Sequence, residues 1–171
     1  MNKQDLEACI GQYGRDIYTF CSYLARNLQE TEDLYQDTFL KALELEDKLD
    51  FQQNPKSYLL SIALRIWKNR RRKFAWRRRI AAACPEQEEQ AKIPRDSPEE
   101  TLLREEEQWA VRAAVTHLPE HLRLPVLLYY MEEMPTKQAA ALLGIPPGTV
   151  LSRLHRARKL LKKELEDFLN G

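Results

Sequence analysis

Apolar residues recur every three or four positions along most of the chain, a spacing that predicts helices rather than strands. A first helix is expected from about Asp5 to Asn27, with these side chains facing inward: Ile10, Tyr13, Ile17, Phe20, Cys21, Leu24 and Leu28. Thr31 is expected to cap a second helix, with Leu34, Thr38, Phe39, Ala42 and Leu45 inside. After a loop over 50–55, a third helix is expected from about Lys56 into a basic block. The fold class is therefore predicted to be all-α.

The composition shifts in the stretch "CPEQEEQAKIPRDSP" at 84–98. This stretch has three prolines and no apolar periodicity, which is typical of a flexible linker. Ser97 and Pro98 form a suitable start for the next helix. The chain of 171 residues is thus predicted to contain two small helical domains, at 1–83 and 99–171, joined by the linker at 84–98.

The second half of the chain predicts a helix-turn-helix. A helix beginning near Pro119 should place Leu122, Val126, Tyr129 and Tyr130 in the core, with Pro125 disturbing its hydrogen bonds. The segment "TKQAAALL" (Thr136 to Leu143) predicts a short helix, which Gly144 can end at a positive φ. A further helix is expected to begin at Pro147 and Gly148, with Thr149 helping to cap it. A short helix, a tight glycine turn and a second helix form a DNA-binding motif.

A helical wheel divides the last helix into two faces. Val150, Leu154, Ala157 and Leu161 cluster on one side, and Gly148, Ser152, His155, Arg156 and Lys159 lie opposite. Leu151 and Arg158 flank one edge of the polar face, and Thr149 and Arg153 flank the other. Arginine can bind guanine edges in the major groove, while flanking polar and basic side chains hold phosphates. An ordinary solvated helix is the alternative interpretation.

The net charge is only +1, but the charges are segregated. Residues 65–83 include nine basic side chains and 148–163 include six, and neither segment has an acid. Two such blocks predict two contacts with a polyanion. The alternative is that they neutralise the acid-rich segments at 30–50 and 86–107 within the fold.

Aromatic residues lie within the first basic block, where they could pack in the core or stack on unpaired bases. Core packing is favoured for Trp67 and Phe74, and both interpretations remain open for Trp76.

The chain lacks the marks of an enzyme or a membrane protein. It has no phosphate-binding loop or nucleophile motif, and His117 and His121 have no evident third ligand, so neither a metal nor a cofactor is expected. Cys9, Cys21 and Cys84 form no close pair, and the first two are expected to be reduced core residues. The polar start and the absence of a long apolar run predict a cytoplasmic protein.

Three segments, in this order, resemble a known family. "ETEDLYQDTFLKAL" (Glu30 to Leu43) resembles the core-binding motif of region 2 in bacterial sigma factors. "SYLLSIALRIWKNRRRK" (Ser57 to Lys73) resembles the promoter-melting helix that follows it, and 118–161 resembles region 4. With only a linker between the two regions, the chain is similar to the extracytoplasmic-function (ECF) group of the sigma-70 family.

The resemblance implies an RNA polymerase sigma factor that directs initiation at specific promoters. Its region 2 would bind the β′ clamp helices through Asp33, Gln36 and Asp37. The melted −10 strand would be bound by Asn54, Tyr58, Arg65, Lys68, Asn69, Arg71 and Arg72. Region 4 would bind the −35 duplex through Thr149, Leu151, Ser152, Arg153, His155, Arg156, Arg158 and Lys159.

The implied partners are core RNA polymerase, through the β′ clamp helices and the β flap, promoter DNA, and an anti-sigma factor, which in this family is often membrane-bound. No small-molecule substrate is implied, and the site of action would be the nucleoid. Three positions depart from the family pattern: Tyr58 stands where tryptophan is common, Arg65 where asparagine is common, and Leu151 where a basic residue is common. These departures leave the exact promoter sequence open, but they do not change the class of protein that the resemblance implies.

An autonomous helix-turn-helix regulator is the alternative. A repressor or activator would bind duplex DNA tightly by itself, as a dimer. A sigma factor would bind its promoter well only together with core polymerase.

Overall fold

A computed structural model describes residues 3–45, 54–80 and 102–171. Its helices are α1 (Lys3–Leu24), α2 (Leu28–Glu44), α3 (Pro55–Ile80), α4 (Leu102–His117), α5 (Glu120–Val126), α6 (Thr136–Leu143) and α7 (Pro147–Asn170), with a π-helical segment at Leu127–Met131 after α5. The described residues include no strand, so the all-α prediction is confirmed. The helices form two compact units, α1–α3 and α4–α7. The predicted linker at 84–98, the helix start at Ser97 and most of the predicted loop at 50–55 lie outside the described residues.

The first unit is a three-helix arrangement in which each helix contacts the other two. Its fully buried side chains include Ile17, Phe20, Leu34, Leu59 and Leu64. Burying an aliphatic or aromatic side chain of this size stabilises a fold by roughly 1.5–3 kcal/mol relative to leaving it exposed. This shared core fixes the outward faces of α2 and α3.

Both described cysteines lie in this first unit, and both are buried and free, as the sequence predicts. Burial raises the pKa of the Cys21 thiol to about 12. Cys21 is therefore protonated at neutral pH and behaves as a small apolar side chain.

The turn between α1 and α2 differs from the sequence prediction. Asn27, rather than Thr31, caps α2, because its Oδ1 accepts a 2.8 Å hydrogen bond from the Glu30 amide. Glu30 in turn accepts a 2.9 Å bond from the backbone amide of Arg26, the residue before the cap. Thr31 is buried one turn later and donates to the Asn27 carbonyl at 2.9 Å. Ile10 and Leu28, expected inside, are 40% and 47% exposed, because they lie off the faces that α1 and α2 bury.

The third helix continues beyond the core of its unit. Trp67 is buried and its Nε1 donates a 2.9 Å hydrogen bond to the Leu24 carbonyl, which confirms it as a core residue. Beyond Trp67 only Lys68 and Phe74 are half-buried, and the guanidinium carbons of Arg26 and Arg78 lie 4.7 and 5.7 Å from the Phe74 ring centroid. The last turns of α3 therefore present a largely exposed basic surface.

The second unit is organised around α7, which contacts α4, α5 and α6. Val150, Leu154 and Ala157 are buried, and Leu161 is half-buried, as the wheel predicts. The predicted short helix at Thr136–Leu143 is confirmed, and Gly144 ends it at φ 67° in the left-handed region. Thr149 does not cap α7. Pro146 occupies the cap position instead, and its carbonyl accepts bonds from the amides of Thr149 and Val150 at 3.0 and 3.2 Å.

The helix containing Pro125 passes into π geometry after Val126. The Glu132 amide donates to the Leu127 carbonyl five residues earlier, at 3.1 Å. A π turn includes more residues than an α turn, so later side chains rotate away from the face that Leu122 and Val126 bury. For this reason Tyr129 and Tyr130, predicted as core residues, are 39% and 46% exposed. None of the helices in the described ranges combines the length and apolar character that a membrane crossing requires.

Glu133 follows this segment at φ 51°, a left-handed conformation that favours glycine. We expect Glu133→Gly to raise the free energy of unfolding of the second unit by about 1 kcal/mol, because it removes this backbone strain. Urea denaturation of the whole chain, followed by circular dichroism, measures the change. Gly144→Ala is the matched opposite: nothing lies within 4 Å of its added Cβ, so backbone strain at φ 67° alone should destabilise the unit. A stabilising Gly144→Ala would contradict this account.

Candidate nucleic-acid interfaces and protein-docking face

The outward side of α7 brings together the residues predicted to bind duplex DNA. Six of the eight are exposed: Leu151, Ser152, His155, Arg156, Arg158 and Lys159. Thr149 and Arg153 are half-buried at one edge, as the wheel predicts. We call these eight residues the α7 face. The buried Val150, Leu154 and Ala157 hold its opposite side in the core, so the face projects from a fixed helix.

The charge of the α7 face is entirely basic along its length. The first acid after Gly148 is Glu164, whose Oε1 lies 2.6 Å from Nδ1 of His117 on α4. This contact links the C-terminal part of α7 to α4. The turns of α7 that precede Glu164 contain no acid. Such a surface suits phosphates and the acceptor-rich edges of guanine.

On α3, four of the residues predicted to bind the melted strand form a stripe. Tyr58, Arg65, Asn69 and Arg72 follow one another at spacings of seven, four and three residues, and Trp76 comes four residues later. These spacings place all five on one side of a helix, and we call them the α3 stripe. Arg65, Asn69, Arg72 and Trp76 are exposed, and Tyr58 is half-buried.

Local contacts organise this stripe. Partial burial raises the pKa of Tyr58, against the opposing effect of Arg65, so the phenol stays protonated and able to donate. The Arg72 guanidinium donates to Asn69 Oδ1 at 2.5 Å. One turn before Tyr58, Asn54 accepts a 3.1 Å bond from the Ser57 amide and so caps the start of α3. The exposed Asn54 therefore has a structural role as well as a place beside the stripe.

Two further predicted residues lie away from the centre of the stripe. Lys68 is half-buried at its edge. Arg71 lies on another side of α3, where its guanidinium carbon is 5.1 Å from the Trp67 ring centroid. The structure therefore does not bring Arg71 together with Tyr58, Arg65 and Arg72.

On α2, the predicted protein-docking residues share one outward face. Asp33 and Gln36 are exposed and Asp37 is half-buried. Asp33 Oδ1 accepts a 3.1 Å bond from the side-chain Nε2 of Gln29, and Asp37 forms an ion pair with Arg70 of α3. That pair neutralises one of the two carboxylates, so Asp33 has the less compensated charge.

Leu40 lies at the C-terminal end of this face and was missed by the sequence analysis. It is 58% exposed, four residues after Gln36 and three after Asp37. Its spacing from Gln36 and Asp37 places Leu40 on the same side of the helix, but an apolar residue in a helix is normally expected to face the interior. We call Asp33, Gln36, Asp37 and Leu40 the α2 face. An exposed apolar side chain flanked by polar ones is typical of a protein-docking surface.

No three potential metal ligands converge among the residues that the structure describes. His117 contacts Glu164, and His121 is exposed on α5.

Sequence comparison places the two units in one family. Residues 9–78 match Sigma-70 region 2, and residues 108–161 match Sigma-70 region 4. The ECF RNA polymerase sigma factor EcfG of Rhodopseudomonas palustris is 31% identical over 89% of this chain and 83% of its own length. The chain belongs to the sigma-70 family and is an ECF RNA polymerase sigma factor.

Other similar proteins are also sigma factors. The sigma factor SigW of Bacillus subtilis is 29% identical over 91% of this chain and 86% of its own length. Among solved structures, RpoE of Bartonella quintana in complex with the anti-sigma factor NepR has the same fold. It matches with a TM-score of 0.79 at 24% identity, covering 95% of this chain and 98% of its own. Within this chain, the residues that match region 2 include the α2 face and the α3 stripe, and the residues that match region 4 include the α7 face.

Proposed function

We propose that this sigma factor attaches core RNA polymerase to promoter DNA through three surfaces. The α2 face binds the β′ clamp helices, the α3 stripe holds the melted −10 strand, and the α7 face enters the major groove of the −35 element. The observation that carries the proposal is that each of the two units presents an exposed basic face, and that the two faces differ in structure. The face on α3 includes aromatic side chains beside its arginines, whereas the face on α7 projects from a helix-turn-helix.

The α7 face has the chemistry for reading a duplex. Arg156 is exposed at its centre and can donate two hydrogen bonds to a guanine edge. Leu151, 53% exposed, can contact a thymine methyl group. Arg153 at one edge of the face and Lys159 at its C-terminal end can hold phosphates, which position the helix without reading sequence.

The α3 stripe has the chemistry for a single strand. Arg65 and Arg72 supply positive charge along the helix, and the half-buried ring of Tyr58 offers a face to an unpaired base. Because stacking requires an exposed base face, a strand separated from its complement binds better than a closed duplex.

The α2 face is suited to a basic protein surface. Leu40 provides an exposed apolar side chain that loses water on contact, and Asp33 provides a charge at the other end of the face. Asp37 already pairs with Arg70, so its main effect is to fix α2 against α3. On the second unit, the exposed Tyr129, Tyr130 and Met131 of the π-helical segment are the surface that we assign to the β flap.

The further partners follow from the relatives. RpoE of Bartonella quintana was solved with an anti-sigma factor, and we infer that an anti-sigma protein also restrains this chain. We place its action in the cytoplasm, at the nucleoid. The chain itself performs no bond chemistry, which the polymerase supplies.

The test is in vitro transcription by core polymerase over a library of randomised promoters, with and without this protein. We expect new start sites that share two sequence elements and appear only when core polymerase and the protein are both present. Absence of new start sites would contradict the proposal. Tight duplex binding by the protein alone, as a dimer, would instead support an autonomous regulator.

A further inference from the structure

Trp109 is an exposed indole on the outward side of α4. It is 58% exposed, whereas the next residue, Ala110, is 7% exposed and faces the core together with Ala114. The three surfaces assigned above do not include Trp109. Tryptophan is enriched at the centres of protein interfaces relative to the rest of a protein surface. An indole left outside the core of its unit therefore points to a contact with another protein chain.

The residues around Trp109 form a strip along the outward side of α4. Glu105 and Glu106 lie one turn before it, and Arg112 and Ala113 lie one turn after it. Both glutamates are exposed, and Arg112 and Ala113 are half-buried. We call these five residues the α4 strip. Its acids lie at the N-terminal end, its base lies at the C-terminal end, and the indole lies between them.

This order of charges is complementary to a second copy of itself in one orientation. Glu105 and Arg112 are seven residues apart, so they lie on the same side of Trp109. When a second α4 lies antiparallel with Trp109 opposite Trp109, Arg112 of each copy comes opposite Glu105 of the other. A two-fold axis makes every such contact twice. A parallel arrangement would instead place Glu105 on Glu105 and Arg112 on Arg112, and like charges facing each other at an interface are costly.

The other side of the strip suits the same arrangement. Glu106 and Ala113 are also seven residues apart, and they lie together on the opposite side of Trp109 from Arg112. The small side chain of Ala113 lets a neighbouring helix approach closely, since the distance between packed helices depends on the side chains at the contact. Two indoles in contact favour an offset or edge-to-face arrangement.

We propose that the α4 strip is a self-association surface, through which two copies of this sigma factor pair antiparallel about Trp109. Trp109 supplies the apolar centre, and the reciprocal contacts between Arg112 and Glu105 set the orientation. The inference goes beyond the proposed function, because the α4 strip shares no residue with the α2 face, the α3 stripe or the α7 face. A contact centred on one side chain from each copy is small, so the pairing is reversible, with a dissociation constant on the order of 10 µM.

Analytical ultracentrifugation of the whole chain, without polymerase or DNA, measures the pairing over a range of protein concentrations. We expect a reversible equilibrium between monomer and dimer for the wild type. Trp109→Ala should raise the dissociation constant by about thirtyfold, the effect expected when an interface loses its central tryptophan. Trp76→Ala is the matched control: it removes a 65% exposed tryptophan from the first unit and should leave the dissociation constant unchanged.

Exchange of charges tests the antiparallel orientation. Glu105→Arg and Arg112→Glu should each weaken the pairing by about tenfold, because each creates two like-charge contacts in the antiparallel dimer. The double variant Glu105→Arg/Arg112→Glu re-forms both contacts with the charges exchanged and should pair like the wild type. Glu107→Arg makes the same change in net charge as Glu105→Arg, from an exposed position on the opposite side of α4. Its dissociation constant should stay within about threefold of wild type. Circular dichroism checks that every variant keeps its helices.

Several outcomes would overturn the inference. A wild-type chain that stays monomeric at every concentration would do so, as would unchanged pairing by Trp109→Ala. Pairing that is equally weak in the double variant and in the single variants would contradict the antiparallel contact. Weaker binding of core polymerase by Trp109→Ala would assign the α4 strip to a different partner.

The proposed function is tested separately from this self-association. Because the α4 strip lies outside the three assigned surfaces, Trp109→Ala should initiate transcription with core polymerase as well as the wild type does. A monomeric wild-type chain that still directs new start sites would overturn the self-association alone. A chain that pairs through Trp109 but directs no new start sites would overturn the proposed function alone.

Discussion

Replacing Arg156 by alanine is expected to reduce transcription from a −35-dependent promoter by about tenfold, while the affinity for core polymerase stays unchanged. Arg156 is exposed on the α7 face, and its neighbours Leu154 and Ala157 are buried, so the substitution removes a guanidinium without disturbing the core. A bidentate contact between arginine and guanine contributes about 1–3 kcal/mol of discrimination against the wrong base. Run-off transcription on promoters with each base at the contacted position should show both lower activity and relaxed preference.

Lys162→Ala is the matched control for Arg156→Ala. Lys162 belongs to the same helix, its side chain is 77% exposed, and it is absent from the α7 face. Its removal should reduce transcription only slightly and equally at all promoters. An equal loss in both variants would show that α7 acts through general positive charge. Loss of polymerase binding in Arg156→Ala would place the residue at a different interface.

Asp33→Arg is expected to weaken binding to core polymerase by about thirtyfold or more and to abolish initiation at limiting concentrations of the sigma factor. Reversing the charge places a cation where the proposed partner surface is basic, and a like-charge contact at an interface costs several kcal/mol. Asp33 is preferred to Asp37 because an arginine at position 37 would face Arg70 and disturb the packing of α2 on α3. Fluorescence anisotropy of the labelled sigma factor, titrated with core polymerase, measures the affinity.

Glu7→Arg controls for the change in net charge. Glu7 is also exposed, but it belongs to α1 and not to the α2 face. Its affinity for core polymerase should stay within about threefold of wild type, because a charge outside an interface has a small effect. Leu40→Ser should weaken binding without any change of charge. Normal binding by both Asp33→Arg and Leu40→Ser would contradict the assignment of the α2 face.

The sequence by itself determined the helices, the helix-turn-helix and the α7 face. Each depends on local regularity: a repeat of 3.6 residues separates Val150, Leu154 and Ala157 from Arg156 and Lys159. Gly144 marks its turn because few other residues adopt a positive φ without strain. These signals extend over a few residues, so they can be recognised without knowing what packs against them.

Only the tertiary structure decided which residues on these helices are free to act. Trp67 is bonded to a carbonyl 43 positions away, and Asp37 is paired with an arginine 33 positions away. The same packing left Trp76 exposed. The π-helical segment likewise rotated Tyr129 and Tyr130 out of the core. These outcomes depend on contacts between distant segments and on changes of helical register, which no local pattern of residue types records.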